Sequence, residues 1–191
     1  MNNITVGFAL CGSFCTFSQV INEMEILKQK GYEIVPIMSF NAFSIDTRFG
    51  NAKEHIERIE DICKRKIIAT IPDAEPIGPK KLLDILLIEP CTGNTLSKLA
   101  NGISDTPVTL AAKSHMRNSR PLLIALSTND ALSGSAANIG KLMNTNNVFF
   151  VPFRQDLPEG KPRSMISDFS RTEDSIICAL KKEQLQPIVF G

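Results

Sequence analysis

The sequence predicts an α/β domain with a doubly wound, mostly parallel sheet and helices on both faces. Several short runs, such as residues 4–10 and 82–88, are almost continuously apolar, as expected for strands covered on both sides. Segments with apolar residues at three- and four-residue steps alternate with these runs, which is typical of helices that connect parallel strands. The 191 residues contain no internal repeat and no linker, so residues 1–191 are predicted to form one domain.

The first elements follow from this alternation. Residues 4–10 form the first predicted strand, which ends at a turn beginning with Cys11. A helix should follow and end at Gly31, a residue suited to a helix C-cap. Its apolar positions are Phe17, Val20, Ile21, Met24 and Leu27. The second strand is predicted over residues 33–39.

The middle of the chain is predicted to contain a loop over 41–52 and a helix over 52–64. A short strand over 67–71 and a loop over 73–79 should follow, because proline and glycine interrupt the latter segment. Residues 82–88 form the central strand.

In the last part, helices are predicted over 94–102 and 106–118, the second with Pro107 in its first turn behind a capping Asp105. A strand over 121–127, a helix over 134–144 and a strand over 148–152 come next. Residues 154–163 are predicted to be a charged loop. Ser170 and Glu173 fit a capping box that starts a final helix, which should run to about residue 184.

Composition and charge exclude several classes of function. Hydrophobic residues make up 43% and charged residues 21%, as in ordinary soluble proteins, and no apolar run approaches the roughly 20 residues that span a membrane. The first residues show no secretory signal pattern, so a cytoplasmic location is expected. The net charge is +1 without a basic block, which disfavours nucleic acid and favours a small-molecule partner.

Metal sites and disulfides are not expected. The five cysteines lack paired C-x-x-C spacing, and the two histidines, His55 and His115, lie far apart. Cys91 follows the central strand, but a buried cysteine is usually an inert apolar residue rather than a nucleophile. His55 is either a general base or a solvated surface histidine.

Three polar turns carry the main functional prediction. Gly12 and Ser13 follow the first strand, Ser39 follows the second, and Pro-Cys-Thr-Gly-Asn-Thr at 90–95 follows the central strand. The carboxyl ends of parallel strands share one edge of a sheet, where helix N-termini favour an anion such as a phosphate. The alternatives are that Ser13 only caps a helix, that Ser39 only binds water, and that residues 94–95 only cap the next helix. The dinucleotide fingerprint G-x-G-x-x-G is absent, which disfavours NAD at this site.

These turns, together with Ser97, Lys98, residues 100–102 and Asp105, resemble the flavoprotein family that contains flavin prenyltransferases and cysteine-type decarboxylases. Further segments are similar to one group in that family, the dipicolinate synthase B subunits of spore-forming bacteria. They are Phe40-Asn41, Thr-Arg-Phe-Gly at 47–50, Glu-Pro-Ile-Gly-Pro-Lys at 75–80, Leu-Ser-Thr-Asn-Asp-Ala-Leu at 126–132 and Gln-Leu-Gln-Pro-Ile at 184–188.

The resemblance implies a Rossmann-like flavoprotein fold and a homo-oligomer, trimeric or larger, with FMN at an interface between copies. It also implies a role in oxidising dihydrodipicolinate to dipicolinate, with NAD(P) on a separate polypeptide, the A subunit of dipicolinate synthase. By analogy, FMN phosphate would be held by Gly12, Ser13 and Ser39. The ribityl chain or ring would lie near Thr92, Asn94, Thr95 and Arg120.

The sequence also departs from the decarboxylases of this family. Their Pro-x-Met-Asn segment is replaced by Ser-Thr-Asn-Asp at 127–130, which disfavours decarboxylation, although His55-Ile56 resembles their histidine and its aliphatic neighbour. The alternatives are a stand-alone FMN-dependent prenyltransferase or decarboxylase, and a noncatalytic scaffold within the enzyme complex. A dicarboxylate substrate would need cationic anchors. The candidates are Arg48, Lys80, Lys113, Arg117 and Arg154.

Overall fold

The computed structural model describes residues 4–191 and shows a seven-stranded sheet with helices on both faces. Five strands run parallel in the order β2-β1-β3-β4-β5. They are β1 Thr5–Leu10, β2 Glu33–Met38, β3 Ile85–Cys91, β4 Leu122–Thr128 and β5 Val148–Phe150. The predicted doubly wound α/β fold is confirmed.

Two antiparallel strands, β6 Phe153–Leu157 and β7 Lys161–Ser167, extend the sheet beyond β4. β4 pairs with β5 through its first residues and with β7 through Ser127 and Thr128. The prediction of a loop over 154–163 is therefore wrong. Four of the five residues of β6 are exposed, so the strand lacks the apolar run by which the parallel strands were recognised.

Eight helices connect and cover the described strands. They are α1 Phe17–Gln29, α2 Phe40–Ser44, α3 Ala52–Cys63, α4 Ile71–Ala74, α5 Gly93–Ala100, α6 Pro107–Met116, α7 Ala136–Met143 and α8 Thr172–Leu180. α1, α3 and α8 pack on one face of the sheet around Phe8 and Met24, and α5, α6 and α7 pack on the other around Ile88 and Ile124. Each face thus has its own apolar core, as the continuously apolar strands require.

α1 and α6 illustrate how the local sequence sets helix ends. The five apolar positions predicted for α1 are all buried, and the chain leaves the helix through Gly31 at φ +92°. α6 begins at Pro107, as expected, but its cap is Thr106 rather than Asp105. Thr106 and Thr109 form a reciprocal capping box, whereas the Asp105 carboxylate binds Lys98.

Three further boundaries differ from the predictions. The predicted loop over 41–52 contains α2, and the predicted strand over 67–71 is reduced to one bridge between Ile37 and Ile68 before α4. β3 continues to Cys91 through a cis peptide bond before Pro90, so the polar turn is shorter than predicted.

The start of the last helix also differs, because Ser170 does not cap it. Instead, the Asp168 carboxylate accepts hydrogen bonds from the Ser170 amide and hydroxyl, and α8 starts at Thr172. α8 ends at Leu180, which frees Gln184 to bind β5.

Within residues 4–191, no helix has the length and apolar character needed to cross a membrane. The same residues contain no group of three or more histidine, cysteine, aspartate or glutamate side chains arranged to hold a metal ion.

Candidate functional site

A polar cleft lies where the order of the parallel strands reverses, between the carboxyl ends of β1 and β3. The Cys11 amide donates to the Pro90 carbonyl at 3.2 Å and joins the two strand ends. Crevices at this position in open α/β sheets are the usual ligand sites. The cleft has a volume of about 310 Å³, and no acidic residue lines it. Its lining residues are Gly12, Ser39, Phe40, Asn41, Thr92, Asn94, Thr95, Lys98 and Thr106.

Ser39 reaches the cleft because β2 runs parallel to β1. The Ser39 amide donates to the Leu10 carbonyl at 3.0 Å, which fixes the end of β2 beside the end of β1. The Ser39 Oγ accepts the Ala42 amide at 3.3 Å and caps α2. A hydroxyl used as an acceptor keeps its own proton, so Ser39 can still donate to a ligand in the cleft.

The turn after β3 brings the N-terminus of α5 to the same cleft. Thr92 caps α5, since its Oγ1 accepts the Thr95 amide at 3.3 Å, and the first intrahelical bond runs from Leu96 to the Thr92 carbonyl. The amides of Gly93 and Asn94 precede that bond and are the free donors of the helix. Asn94 is exposed, and its side-chain amide binds no other residue in the range 4–191. The alternative in which Asn94 and Thr95 only cap this helix is wrong, because Thr92 provides the cap.

Ser13 is next to the cleft but does not line it. Its Oγ lies 2.7 Å from the Oγ of Ser127, so this pair joins the end of β1 to the end of β4. Its carbonyl accepts both the amide and the hydroxyl of Thr16. Five of the residues predicted from the sequence therefore share the cleft, namely Gly12, Ser39, Thr92, Asn94 and Thr95, while the Ser13 side chain is directed to a neighbouring hydroxyl.

Within one chain, Arg120 does not lie beside the cleft, contrary to the position that the resemblance implied. Its guanidinium donates to the Leu83 carbonyl and lies 3.4 Å from the Asp84 carboxylate. These residues precede β3, just as Arg120 precedes β4, so all three lie at the amino edge of the parallel sheet. The cleft is at the opposite edge.

Four lining residues were not among the predicted site residues: Phe40, Asn41, Lys98 and Thr106. Phe40 and Asn41 belong to α2, most of which lies in the segment 41–52 that was predicted to be a loop. Lys98 is the only cation of the cleft lining, and its ammonium lies 2.8 and 2.9 Å from the two Asp105 oxygens. Lys98 lies on α5, the helix that follows the polar turn, and this position in the sequence could have identified it as a site residue.

The two cysteines beneath the cleft are not activated. Burial raises the pKa of the Cys11 thiol to about 11, and the neighbouring Thr95 hydroxyl only partly offsets this. Burial also raises the pKa of the Cys91 thiol well above its ordinary value. Both thiols are protonated at neutral pH, and a thiol is a weak nucleophile in that form. This agrees with the interpretation of Cys91 as an inert core residue.

His55 is not a simple solvated surface histidine. Its Nε2 is buried and has no hydrogen-bond partner within residues 4–191, and its ring packs edge-on against Phe17 with the centroids 5.2 Å apart. A Cβ built on Gly50 would lie 2.6 Å from that nitrogen, so the glycine gives the imidazole its space. The ring does not line the cleft.

The proposed substrate anchors are scattered. Arg48 stacks on the ring of Phe49, and Arg154 stacks on the ring of Phe190, at 4.8 and 5.7 Å from the ring centroids. Lys113 and Arg117 share a different pocket, between α5, α6 and α7. None of the five cations named from the sequence lines the cleft.

Comparison with known proteins adds to this geometry. The model of the Flavoprotein family matches residues 1–176. The chain belongs to the Flavoprotein family. It is 46% identical, over 184 residues, to the B subunit of dipicolinate synthase from Bacillus subtilis (strain 168), an alignment that covers 96% of this chain and 92% of that protein.

Solved structures extend the comparison to three dimensions. The crystal structure of the dipicolinate synthase B subunit from Bacillus halodurans C superposes with a TM-score of 0.91 and 40% identity, over 100% of this chain and 99% of that one. An FMN-dependent cysteine decarboxylase superposes with a TM-score of 0.66 and 21% identity, over 92% and 97% of the two chains, and shares the fold.

Proposed function

We propose that the chain is the B subunit of a dipicolinate synthase. In this role it takes part in the NAD(P)-dependent oxidation of dihydrodipicolinate to dipicolinate in the cytoplasm of a spore-forming cell. The observation that carries this proposal is the 46% identity to the Bacillus subtilis protein, which extends over 96% of this chain and 92% of that protein. Identity at this level over nearly the whole length favours a shared site as well as a shared fold.

The cleft has the chemistry of an FMN phosphate site. The free amides of Gly93 and Asn94 and the hydroxyl of Ser39 are donors at a lining that contains no carboxylate. The ammonium of Lys98 also lines the cleft and is paired with the neighbouring Asp105 carboxylate. A helix N-terminus and a lysine both favour a dianionic phosphate. When bound, FMN supplies a carrier for two electrons and a proton. Gly12 and Thr92 would hold the phosphate or ribityl chain, and Asn94 would donate to the ligand from its side-chain amide.

The nicotinamide is assigned to the A subunit. Oxidation of dihydrodipicolinate transfers a hydride to NAD(P)⁺ and releases a proton, which yields dipicolinate and NAD(P)H. This chain lacks the glycine fingerprint after β1, and Ser39 stands after β2 where a dinucleotide site has an acidic residue. A second polypeptide must then bind NAD(P), which agrees with a two-subunit enzyme.

We also assign a homo-oligomer, trimeric or larger, to this chain. Phe40, Ile45 and Phe49 follow β2 on the cleft side and expose between 43% and 45% of their surface. Large apolar side chains grouped in this way mark interaction surfaces. A neighbouring copy that packs on them would also enclose the cleft, whose mouth is open in the single chain.

The experiment that tests the function measures dipicolinate formation by the purified A subunit with and without this chain and with and without added FMN. We expect full turnover only when both polypeptides are present. Dipicolinate formation at the same rate when this chain is omitted would overturn the proposal. Flavin absorbance near 450 nm, roughly the usual isoalloxazine band, distinguishes a cofactor carrier from the noncatalytic scaffold, which would be colourless.

Site variants connect the activity to the cleft. Asn94→Ala removes a donor to a charged ligand, and we expect FMN affinity to fall by about tenfold or more, since such hydrogen bonds contribute about 1.5–3 kcal/mol. Asn146→Ala is the matched control, because Asn146 is exposed and lies outside the cleft.

The alternative functions are tested by product analysis. A stand-alone prenyltransferase would convert a prenyl phosphate, and a stand-alone decarboxylase would convert a peptidyl cysteine, with this chain as the only protein present.

A further inference from the structure

A second pocket adjoins the cleft and extends along α6 away from it. It has a volume of about 450 Å³ and is lined by the end of α5, the loop to α6, α6 from Thr109 to its end, and the end of α7. Leu122, the first residue of β4, forms part of its wall, which places the pocket at the amino edge of the sheet. The cleft includes Thr106 at the start of α6, whereas this pocket includes Arg117 just after its end. The two sites meet at the start of α6, where the Thr109 hydroxyl of the pocket lies 2.8 Å from the Thr106 hydroxyl.

The pocket is mainly apolar. Leu122 and Leu142 are buried in its wall, Leu99 and Met116 are half-buried, and Ile103 exposes 47% of its surface. An apolar surface of this extent, left open in a folded chain, lowers its free energy when a ligand covers it. The volume suits a small organic molecule.

Two cations stand on one side of this apolar surface. Lys113 and Arg117 are one helical turn apart on α6, so both side chains point to the same side of the helix. Within residues 4–191, neither takes part in an ion pair, and no aspartate or glutamate lines the pocket. Lys113 makes one long contact, 3.3 Å to the Ser104 hydroxyl. The pocket thus combines an apolar floor with an uncompensated positive charge.

From this combination we infer that the pocket between α5, α6 and α7 binds a small organic carboxylate with an apolar body. Its carboxylate lies between Lys113 and Arg117, where arginine offers a bidentate fork and lysine a point charge. Its apolar body lies on Leu99, Ile103 and Met116. This site is separate from the cleft and does not depend on whether FMN binds there.

The ligand binds without entering the reaction, so its effect reaches the cleft through the protein. α5 and α6 both take part in the two sites. Lys98 of the cleft and Leu99 of the pocket are consecutive on α5, and Thr106 of the cleft is hydrogen-bonded to Thr109 of the pocket at the start of α6. A ligand that shifts either helix changes the position of the donors at the start of α5. This geometry makes the pocket a regulatory site for the cleft.

The test uses the full chain labelled with ¹³C-methyl methionine and two probes, octanoate and its neutral analogue 1-octanol. Met116 lines the pocket, whereas Met38 is the last residue of β2 and is fully buried in the core, so the Met38 methyl signal serves as an internal control. We expect octanoate to shift the Met116 signal in a saturable manner and 1-octanol to bind at least about threefold more weakly. Lys113→Gln and Arg117→Gln should each weaken octanoate about threefold, and together about tenfold, as partly exposed charge pairs do.

Lys53→Gln is the matched control, because Lys53 is a highly exposed lysine of α3 far from the pocket. It should leave octanoate affinity unchanged. Equal affinity for octanoate and 1-octanol, equal affinity in the double variant, or no shift of Met116 would each overturn the inference. If the Met116 signal responds only to protein concentration, a second copy of the chain covers the pocket, and the ligand proposal is likewise refuted.

Discussion

Replacement of Gly93 by alanine tests how the turn after β3 is fitted to the rest of the cleft. A Cβ at Gly93 would lie 2.7 Å from the Thr128 Oγ1, 2.7 Å from the Asp130 Oδ1 and 2.8 Å from the Ser135 Oγ. These are short side chains tied to one another, because both the Thr128 and the Ser135 hydroxyls donate to Asp130. A methyl group cannot displace one of them without breaking that network or moving the start of α5.

The expected cost follows from this overlap. Insertion of a methyl group into a well-packed site destabilises a protein by about 1–3 kcal/mol. For a chain of this size that corresponds to a decrease in Tm of about 2–12 °C. The N-terminal amides of α5 move with the strain, so FMN affinity should fall in the same variant.

Gly140→Ala is the matched control. Gly140 also lies in a helix, α7, but a Cβ built there meets nothing within 4 Å. Alanine in a helix interior is more favourable than glycine by about 0.5–1 kcal/mol, so this variant should be slightly more stable and bind FMN normally. Urea unfolding and flavin fluorescence measure both quantities. If the two variants had the same Tm and the same FMN affinity, the close approach at Gly93 would have no consequence and the reasoning would be refuted.

Three predictions concern stability. Burial raises the pKa of Glu89, so wild-type stability should fall by about 1.4 kcal/mol per pH unit as pH rises from about 4.3 to the folded pKa. Glu89→Gln should remove this slope in urea titrations at several pH values, and parallel curves would contradict it. Burial lowers the pKa of His115 to about 4, so acid should destabilise the chain between pH 6.5 and 4 by up to about 3 kcal/mol. His115→Gln should flatten that window, and an unchanged profile would count against the assignment. Gln184→Ala leaves the buried amide and carbonyl of Phe150 without partners and should lower the free energy of unfolding by about 1–3 kcal/mol. Gln155 is exposed, so Gln155→Ala should change stability in urea little. Equal effects of the two substitutions would refute the role of Gln184 as the hydrogen-bond partner of β5.

The sequence predicts the parallel part of the sheet well because burial on both faces leaves a local signal. β3 and β4 begin with continuous apolar runs at 85–88 and 122–126, and α1 repeats its buried positions at helical spacing. β6 carries no such signal. Its residues are mostly exposed, and it becomes a strand only because it pairs with β7, which in turn pairs with the end of β4, more than 30 residues earlier. Pairing over such a distance is a tertiary property that periodicity does not encode.

The candidate site was partly predictable for a related reason. Parallel strands bring their carboxyl ends to one edge, so Ser39 and Thr92 could be placed together without knowledge of any side-chain conformation. The direction in which a side chain points does not follow from the strand order. Ser13 points to Ser127, which is 114 residues away, and nothing near Ser13 in the sequence indicates this partner.

Arg120 shows how strand direction limits an analogy. A residue that follows a parallel strand lies at the carboxyl edge of the sheet, and one that precedes it lies at the amino edge. Arg120 precedes β4, whose predicted start was already residue 121, so the strand assignment itself excluded a place beside Thr92. Within one chain, the predicted topology did not allow the role that the resemblance implied for Arg120. The same rule separates the two sites of this chain: the turns after β1, β2 and β3 form the cleft, whereas Lys113 and Arg117 lie before β4 and face the pocket at the opposite edge. The two linings still meet at one point, where the Thr106 hydroxyl of the cleft lies 2.8 Å from the Thr109 hydroxyl of the pocket. Coupling between the sites therefore passes through α5 and the first turn of α6.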